Sequence, residues 1–220
     1  MIEETLTLQA AVVASRRLIP YAAVASSILF AVAPLHDIRR IRQSRNTLSL
    51  PFLPFFLYVV QSMMFLLYAL ATSNALLMFT TSLGSILGTF YVWSYYKHMN
   101  DKTSARKWFL GGGGLLFMLG VIATAFDAQD AALWIGIPGN AVMVMTAVSP
   151  LAKASHIVRT QDASSLPVGM SVMNAVAGGF WTIYGVLLDD ILVTFPNAVS
   201  TIVGLIQVHA ANLDAYESNT

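Results

Sequence analysis

Long apolar runs alternate with short polar breaks along almost the whole of this chain. Seven runs stand out, at 18–35, 50–70, 75–96, 108–126, 131–151, 166–188 and 191–213. Each comes close to the roughly 20 mainly apolar residues that a helix needs to cross a bilayer. The connections are short and no soluble domain is inserted. The pattern therefore predicts an all-α integral membrane protein with seven transmembrane helices.

The runs are not independent of one another. Pro34 and Pro150 lie 116 positions apart, and the same offset sets Leu35 on Leu151, Ile41 on Ile157 and Ser49 on Ser165. It continues without a gap through Pro51/Pro167, Tyr68/Tyr184, Leu76/Leu192 and Gly88/Gly204. Residues 18–96 thus form a first three-helix repeat, 131–213 a second, and 108–126 a linker helix. Three spans are an odd number, and one extra span restores the starting orientation, so the two repeats are parallel (3+1+3). Arg16-Arg17, an apolar run and Ala31-Val32-Ala33 also read as a cleaved signal peptide. The register with segment five favours a retained helix instead. Prolines close the first and fifth runs and open the second and sixth, where helical hydrogen bonding must loosen.

Composition fixes the class. Apolar residues make up 56% of the 220 residues, charged ones 10%, and mean hydropathy is +0.67, against roughly 25% charge in a soluble domain. A net charge of +1 without a long basic run gives no reason to expect nucleic acid as a partner. The absence of cysteine excludes disulfides and thiolate chemistry. Ten of the twelve Lys and Arg residues fall in the loops after segments one, three and five. The opposite loops carry Asn74, Asp127, Asp130, Asp189 and Asp190. The positive-inside rule then predicts an outside N-terminus and a cytosolic C-terminus, with Arg16 and Arg17 as the two dissenters.

Several candidate chemistries fail. Gly111–Gly114 lacks the flanks of a phosphate loop and reads as close approach of the linker helix to a neighbour. His36, His98, His156 and His209 sit at loops or helix ends without metal-ligand spacing. No Ser/His/Asp arrangement supports an enzyme, and no cofactor or metal is expected. A retinal protein would need a lysine in the last span, and 191–213 has none. No Asp, Glu, Lys or Arg lies deep in any run, which argues against a proton relay and for a passive carrier.

Ser149-Pro150-Leu151, Leu166-Pro167, Trp181-x-x-Tyr184-Gly185, Asp190 and Pro196-Asn197 resemble the second repeat of the SWEET (MtN3/saliva) sugar transporters. The resemblance runs from about 18 to 213. It implies substrate held near the midplane between parallel repeats. By that resemblance Pro34, Pro51, Pro150 and Pro167 are the proline tetrad flanking the cytosolic gate. Asn197 is a sugar-binding asparagine, Trp181 a pocket aromatic, and Asp190, with Tyr68 and Tyr184, belongs to the gating positions. Counting back from the prolines, Ser27, Phe30, Met143 and Thr146 line the pocket. The implied partners are a sugar and the lipid bilayer, in the plasma membrane or an endomembrane. Family members often self-associate, each bundle holding its own pathway.

The chain also departs from that pattern. Thr81 stands where the family has a second asparagine, Phe65 where it has a first-repeat tryptophan, and Ala69 where a glycine follows Tyr68. Ile191 replaces the proline after the acidic turn. Sugars present dense hydroxyls around an apolar ring face, so a site wants amides, hydroxyls and flat aromatics. Asn197, Thr81, Ser27, Thr146 and Gln61 supply the polar groups; Trp181, Phe65 and Phe30 supply rings. An amide at membrane depth is costly without partners, which singles out Asn197; Gln61 and Asn174 are equally explained by interhelical hydrogen bonds. The expected function is bidirectional uniport of mono- or disaccharides by alternating access. The competitors are a related proline-loop carrier of amino acids or another small solute, and a membrane receptor or scaffold without transport.

Overall fold

The computed structural model describes residues 2–47, 50–160 and 168–217, and every element in them is helical. In order these are α1 (Ile2–Val32), α2 (Leu35–Ser44), α3 (Phe52–Ala71), α4 (Ala75–His98), α5 (Thr103–Ala125), α6 (Ala128–Thr160), α7 (Val168–Leu187) and α8 (Ile191–Glu217). Among the described residues six stretches are long and apolar enough to cross a membrane, the first being Arg16–Ser44, which joins α1 to α2. In α7 the described apolar stretch is shorter, Ser171–Leu187. The seven apolar runs are thus seven helical segments in the 3+1+3 order.

Local chemistry explains where the segments break. Pro34 has no N–H to donate, and the helix halts there before Ile38 N resumes it by donating to Pro34 O at 3.0 Å. Beyond the break α2 is amphipathic, with Ile38 and Ile41 buried and Arg39, Arg40 and Arg42 exposed. Pro51 is extended (φ −77°, ψ 144°) and stands at the N-terminal boundary of α3, where a missing N–H costs nothing. The second repeat differs. α6 runs through position 150 without interruption to Thr160. His156 and Arg159, expected in a loop, therefore lie in helix; proline is tolerated inside spanning helices. Asp162 and Pro167 fall outside the described residues. α1 likewise starts earlier than the apolar run, at Ile2.

The residues divide into two compact units whose boundaries fall at 30/31 and 146/147. One unit is Ala31–Thr146, a contiguous stretch one full 116-residue period long; the other is Met1–Phe30 with Ala147–Thr220. Each chain crossing thus occurs just before a member of the Pro34/Pro150 pair. In the contiguous unit α3 packs on α4 and α5, and α2 on α4. Phe52, Phe56, Tyr95, Tyr96, Trp108 and Phe109 form a connected aromatic cluster there. Of the four consecutive glycines only Gly112 makes the expected close approach: an added Cβ would meet the Phe56 ring at 2.5 Å, whereas Gly111, Gly113 and Gly114 face open space.

In the other unit α7 packs on α8 along a seam of glycines. A Cβ on Gly178 would lie 2.9 Å from Asn197 O, on Gly185 2.7 Å from Thr194 N, and on Gly204 2.8 Å from both Ala175 N and Ser171 O. Lipid offers no hydrophobic drive between helices, so such close backbone approach supplies the packing. Ser171 Oγ donates to Gln207 Oε1 at 2.7 Å within this seam.

Candidate functional site

The connections α3–α4 and α7–α8 are the same structure built twice. Ser73 (φ 52°) and Asp189 (φ 56°), 116 positions apart, both take the left-handed conformation. Asn74 N donates to Ala69 O at 3.0 Å and Asp190 N to Gly185 O at 2.9 Å, the six-to-one bond that closes a helix C-terminus. The next helix starts on the same side chains. Asn74 Oδ1 accepts from Leu77 N at 3.1 Å; Asp190 Oδ1 accepts from Leu192 N at 3.0 Å and Val193 N at 3.1 Å. Asp190, a gating position by resemblance, is therefore also the cap of α8.

About two turns into α4 and α8 the correspondence reaches the binding candidates. Thr81 Oγ1 donates to Leu77 O at 2.6 Å, and Asn197 Nδ2 donates to Val193 O at 2.7 Å; both reach back four residues. Asn197 is 9% exposed, next to Pro196 inside α8, while Thr81 is half-buried. The aromatics pair alike. Phe65 meets Tyr68 edge-on at 6.2 Å between centroids, and Trp181 meets Tyr184 at 5.4 Å, interplanar angles 74° and 82°.

The two units divide the candidates between them. Ser27, Phe30, Trp181, Tyr184, Asp190 and Asn197 belong to one; Gln61, Phe65, Tyr68, Thr81, Met143 and Thr146 belong to the other. In the first, Ser27 Oγ accepts a hydrogen bond from Trp181 Nε1–H at 2.6 Å, joining α1 to α7. In the second, Gly139 of α6 sits 3.8 Å from the Phe65 ring by its added Cβ, and Thr146 Oγ1 donates to Val142 O at 2.7 Å. Pro34 is half-buried and Pro51 exposed.

Two sets of polar groups escaped the sequence reading. Asn140 in α6 is 7% exposed and donates from Nδ2 to Gly136 O at 2.8 Å; the amide-at-depth argument used for Asn197 would have found it. Tyr91 Oη donates to Ala31 O at 2.7 Å and Tyr95 Oη to Leu50 O at 2.5 Å. These two tyrosines, one turn apart on α4, hold the backbone three residues before Pro34 and next to Pro51. No period in the sequence announces such long-range contacts. Outside the spans, Asp101 lies below the usual carboxylate range because the Thr103 backbone N–H and then its hydroxyl donate to it.

Two three-helix repeats in parallel, joined by one linker span and bearing matched polar and aromatic positions, define a helical membrane protein of the internal-repeat class. The family model described as "Sugar efflux transporter for intercellular exchange" matches residues 17–103 and 134–211. The chain belongs to that family, the SWEET (MtN3/saliva) family. It is 26% identical over 197 residues to the sugar transporter SWEET1 of Dictyostelium discoideum, covering 86% of this chain and 89% of that one. To the bidirectional sugar transporter SWEET16 of rice (Oryza sativa subsp. japonica) it is 25% identical over 187 residues, covering 83% of this chain and 57% of the relative's length. A solved eukaryotic SWEET transporter superposes with a TM-score of 0.79 over 92% of this chain and 97% of that one, at 18% identity. That likeness establishes the fold.

Proposed function

We propose that this chain moves mono- or disaccharides across a membrane down their gradient, as a bidirectional uniporter working by alternating access. The observation that carries the reading is the Asn197 amide, held almost fully buried in α8, the helix that packs on α7, which bears Trp181. A buried amide in hydrocarbon is expensive unless it has a use or a partner, and an amide together with a ring is what a sugar's hydroxyls and apolar face require. The names of the relatives, sugar transporter and bidirectional sugar transporter, support the substrate class.

By the family pattern, Asn197 and Trp181 are the sugar-binding positions of the second repeat, and Thr81 and Phe65 stand at the matching positions of the first. Pro34, Pro51, Pro150 and Pro167 act as hinges of a cytosolic gate. The N-terminus lies outside and the C-terminus inside, by the basic loops. Apolar runs without a deep charge support uniport rather than proton coupling. The test is uptake of radiolabelled sugars and amino acids into proteoliposomes, with and without a pH gradient. Sugar counterflow at equal pH, and rates indifferent to the gradient, are expected. Accumulation against the sugar gradient, or uptake of amino acids alone, overturns the reading.

A further inference from the structure

The bond between α1 and α7 joins two residues that resemblance treats as separate lining positions. Trp181 is 6% exposed, and its one polar atom, the indole N–H, has found an acceptor in Ser27 Oγ at 2.6 Å. Indole can only donate, so the ring is fixed wherever that acceptor stands. The Tyr184 ring meets it edge-on from one turn along the same helix. Two constraints from different helices therefore set one ring plane.

The internal repeat supplies an independent comparison. Trp181 corresponds to Phe65 at the offset of 116, and Ser27 corresponds to Met143. Both partners of the second pair fall in the contiguous unit, where Gly139, one turn before Met143, lies against Phe65. Where the ring has lost its N–H, the matched position has lost its hydroxyl. Where the ring keeps the N–H, the hydroxyl is present. Donor and acceptor are thus gained or lost together across the two halves of one chain. A serine retained only to touch a ligand has no reason to follow the ring in this way.

We infer that Ser27 is a positioning residue: it fixes the Trp181 indole in the binding conformation through the Nε1–H···Oγ bond, and acts on substrate through that ring. The claim rests on the proposed sugar site, but its first test does not. The four tryptophans are Trp93, Trp108, Trp134 and Trp181, so 15N-labelled indole gives few signals, and Trp181→Phe assigns the one of interest. In the detergent-solubilised full chain, Ser27→Ala should shift that signal upfield and Ser27→Thr should return it.

In proteoliposomes Ser27→Ala should raise the KM for sugar by about 3–10-fold, the span of one neutral hydrogen bond's net worth, with a smaller change in maximal rate. Ser27→Thr should recover part of that loss. The effect should vanish in the Trp181→Phe background, and Ser27→Met combined with Trp181→Phe, which copies the other half, should match Trp181→Phe alone. An indole signal indifferent to Ser27→Ala overturns the inference, as do losses from Ser27→Ala and Trp181→Phe that multiply. If Trp181→Phe leaves uptake of every sugar unchanged, the sugar site is wrong and the inference falls with it as a statement about substrate, while the indole signal alone decides the bond.

Discussion

Replacing Gly204 by alanine adds one methyl where α7 and α8 touch backbone to backbone. The new Cβ would sit 2.8 Å from Ala175 N and from Ser171 O, and 3.0 Å from Ala175 Cβ. Backbone cannot rotate away as a side chain can, so the helices must part by several tenths of an ångström. A gap of that order forfeits a quarter or more of each dispersion contact it opens, and the Ser171–Gln207 bond in the same seam lengthens with it. Overpacking of this kind costs about 1–3 kcal/mol. Against that stands a gain of about 1 kcal/mol in helix propensity, leaving a net loss of up to about 2 kcal/mol. With roughly 2–4 °C per kcal/mol for a chain of this size, the melting temperature in detergent should fall by up to about 8 °C. Gly120→Ala is the matched control, because nothing lies within 4 Å of its added Cβ; it should melt at or above wild type. Melting followed by loss of the monodisperse peak in size-exclusion chromatography reads both. If Gly204→Ala is as stable as Gly120→Ala, the seam is not close-packed and the account of α7–α8 packing fails.

Asn197→Ala should abolish most sugar uptake while leaving membrane insertion near normal, measured at matched abundance in proteoliposomes; full uptake would move the site elsewhere. Thr81→Asn should change the ratio of glucose, fructose and sucrose uptake by several-fold, as a hydrogen bond worth about 0.5–1.5 kcal/mol allows, and unchanged ratios would mean position 81 does not meet the sugar. Asp190→Ala removes the acceptor of two α8 N–H groups and should cost about 0.5–2 kcal/mol in thermal stability, with Asp190→Asn losing much less. Equal melting of the two variants would show that the cap contributes nothing.

Hydropathy identified the spanning segments well because burial in lipid demands length and apolarity and little else. The repeat emerged from the same rows, since Pro34/Pro150, Tyr68/Tyr184 and Gly88/Gly204 keep one register, and the paired turns at Ser73-Asn74 and Asp189-Asp190 show how faithfully backbone follows it. What could not be read was neighbourhood. An apolar run states that it spans, not which helix it meets, so the grouping of α1 up to Phe30 with α7 and α8 had no signal. The Ser27–Trp181 bond was hidden for the same reason. The helical continuation past Pro150 was missed because proline usually ends helices in water, a rule that bilayers relax. Gly111–Gly114 gave the right kind of expectation at one position of four, as helical rotation turns the other three away from Phe56.

The split of one unit between the two ends of the chain constrains how the protein is made. The unit 31–146 can assemble from contiguous, mostly near-neighbour contacts as it leaves the ribosome. Residues before position 31 cannot meet α7 and α8 until more than a hundred further residues exist. At roughly 5–20 residues per second of synthesis, the wait until α7 begins at Val168 lasts on the order of 7–28 s. During it α1 stands in the bilayer with the Ser27 hydroxyl not yet joined to the Trp181 indole, an opening for chaperones of membrane insertion and for exchange with the α1 of another nascent copy.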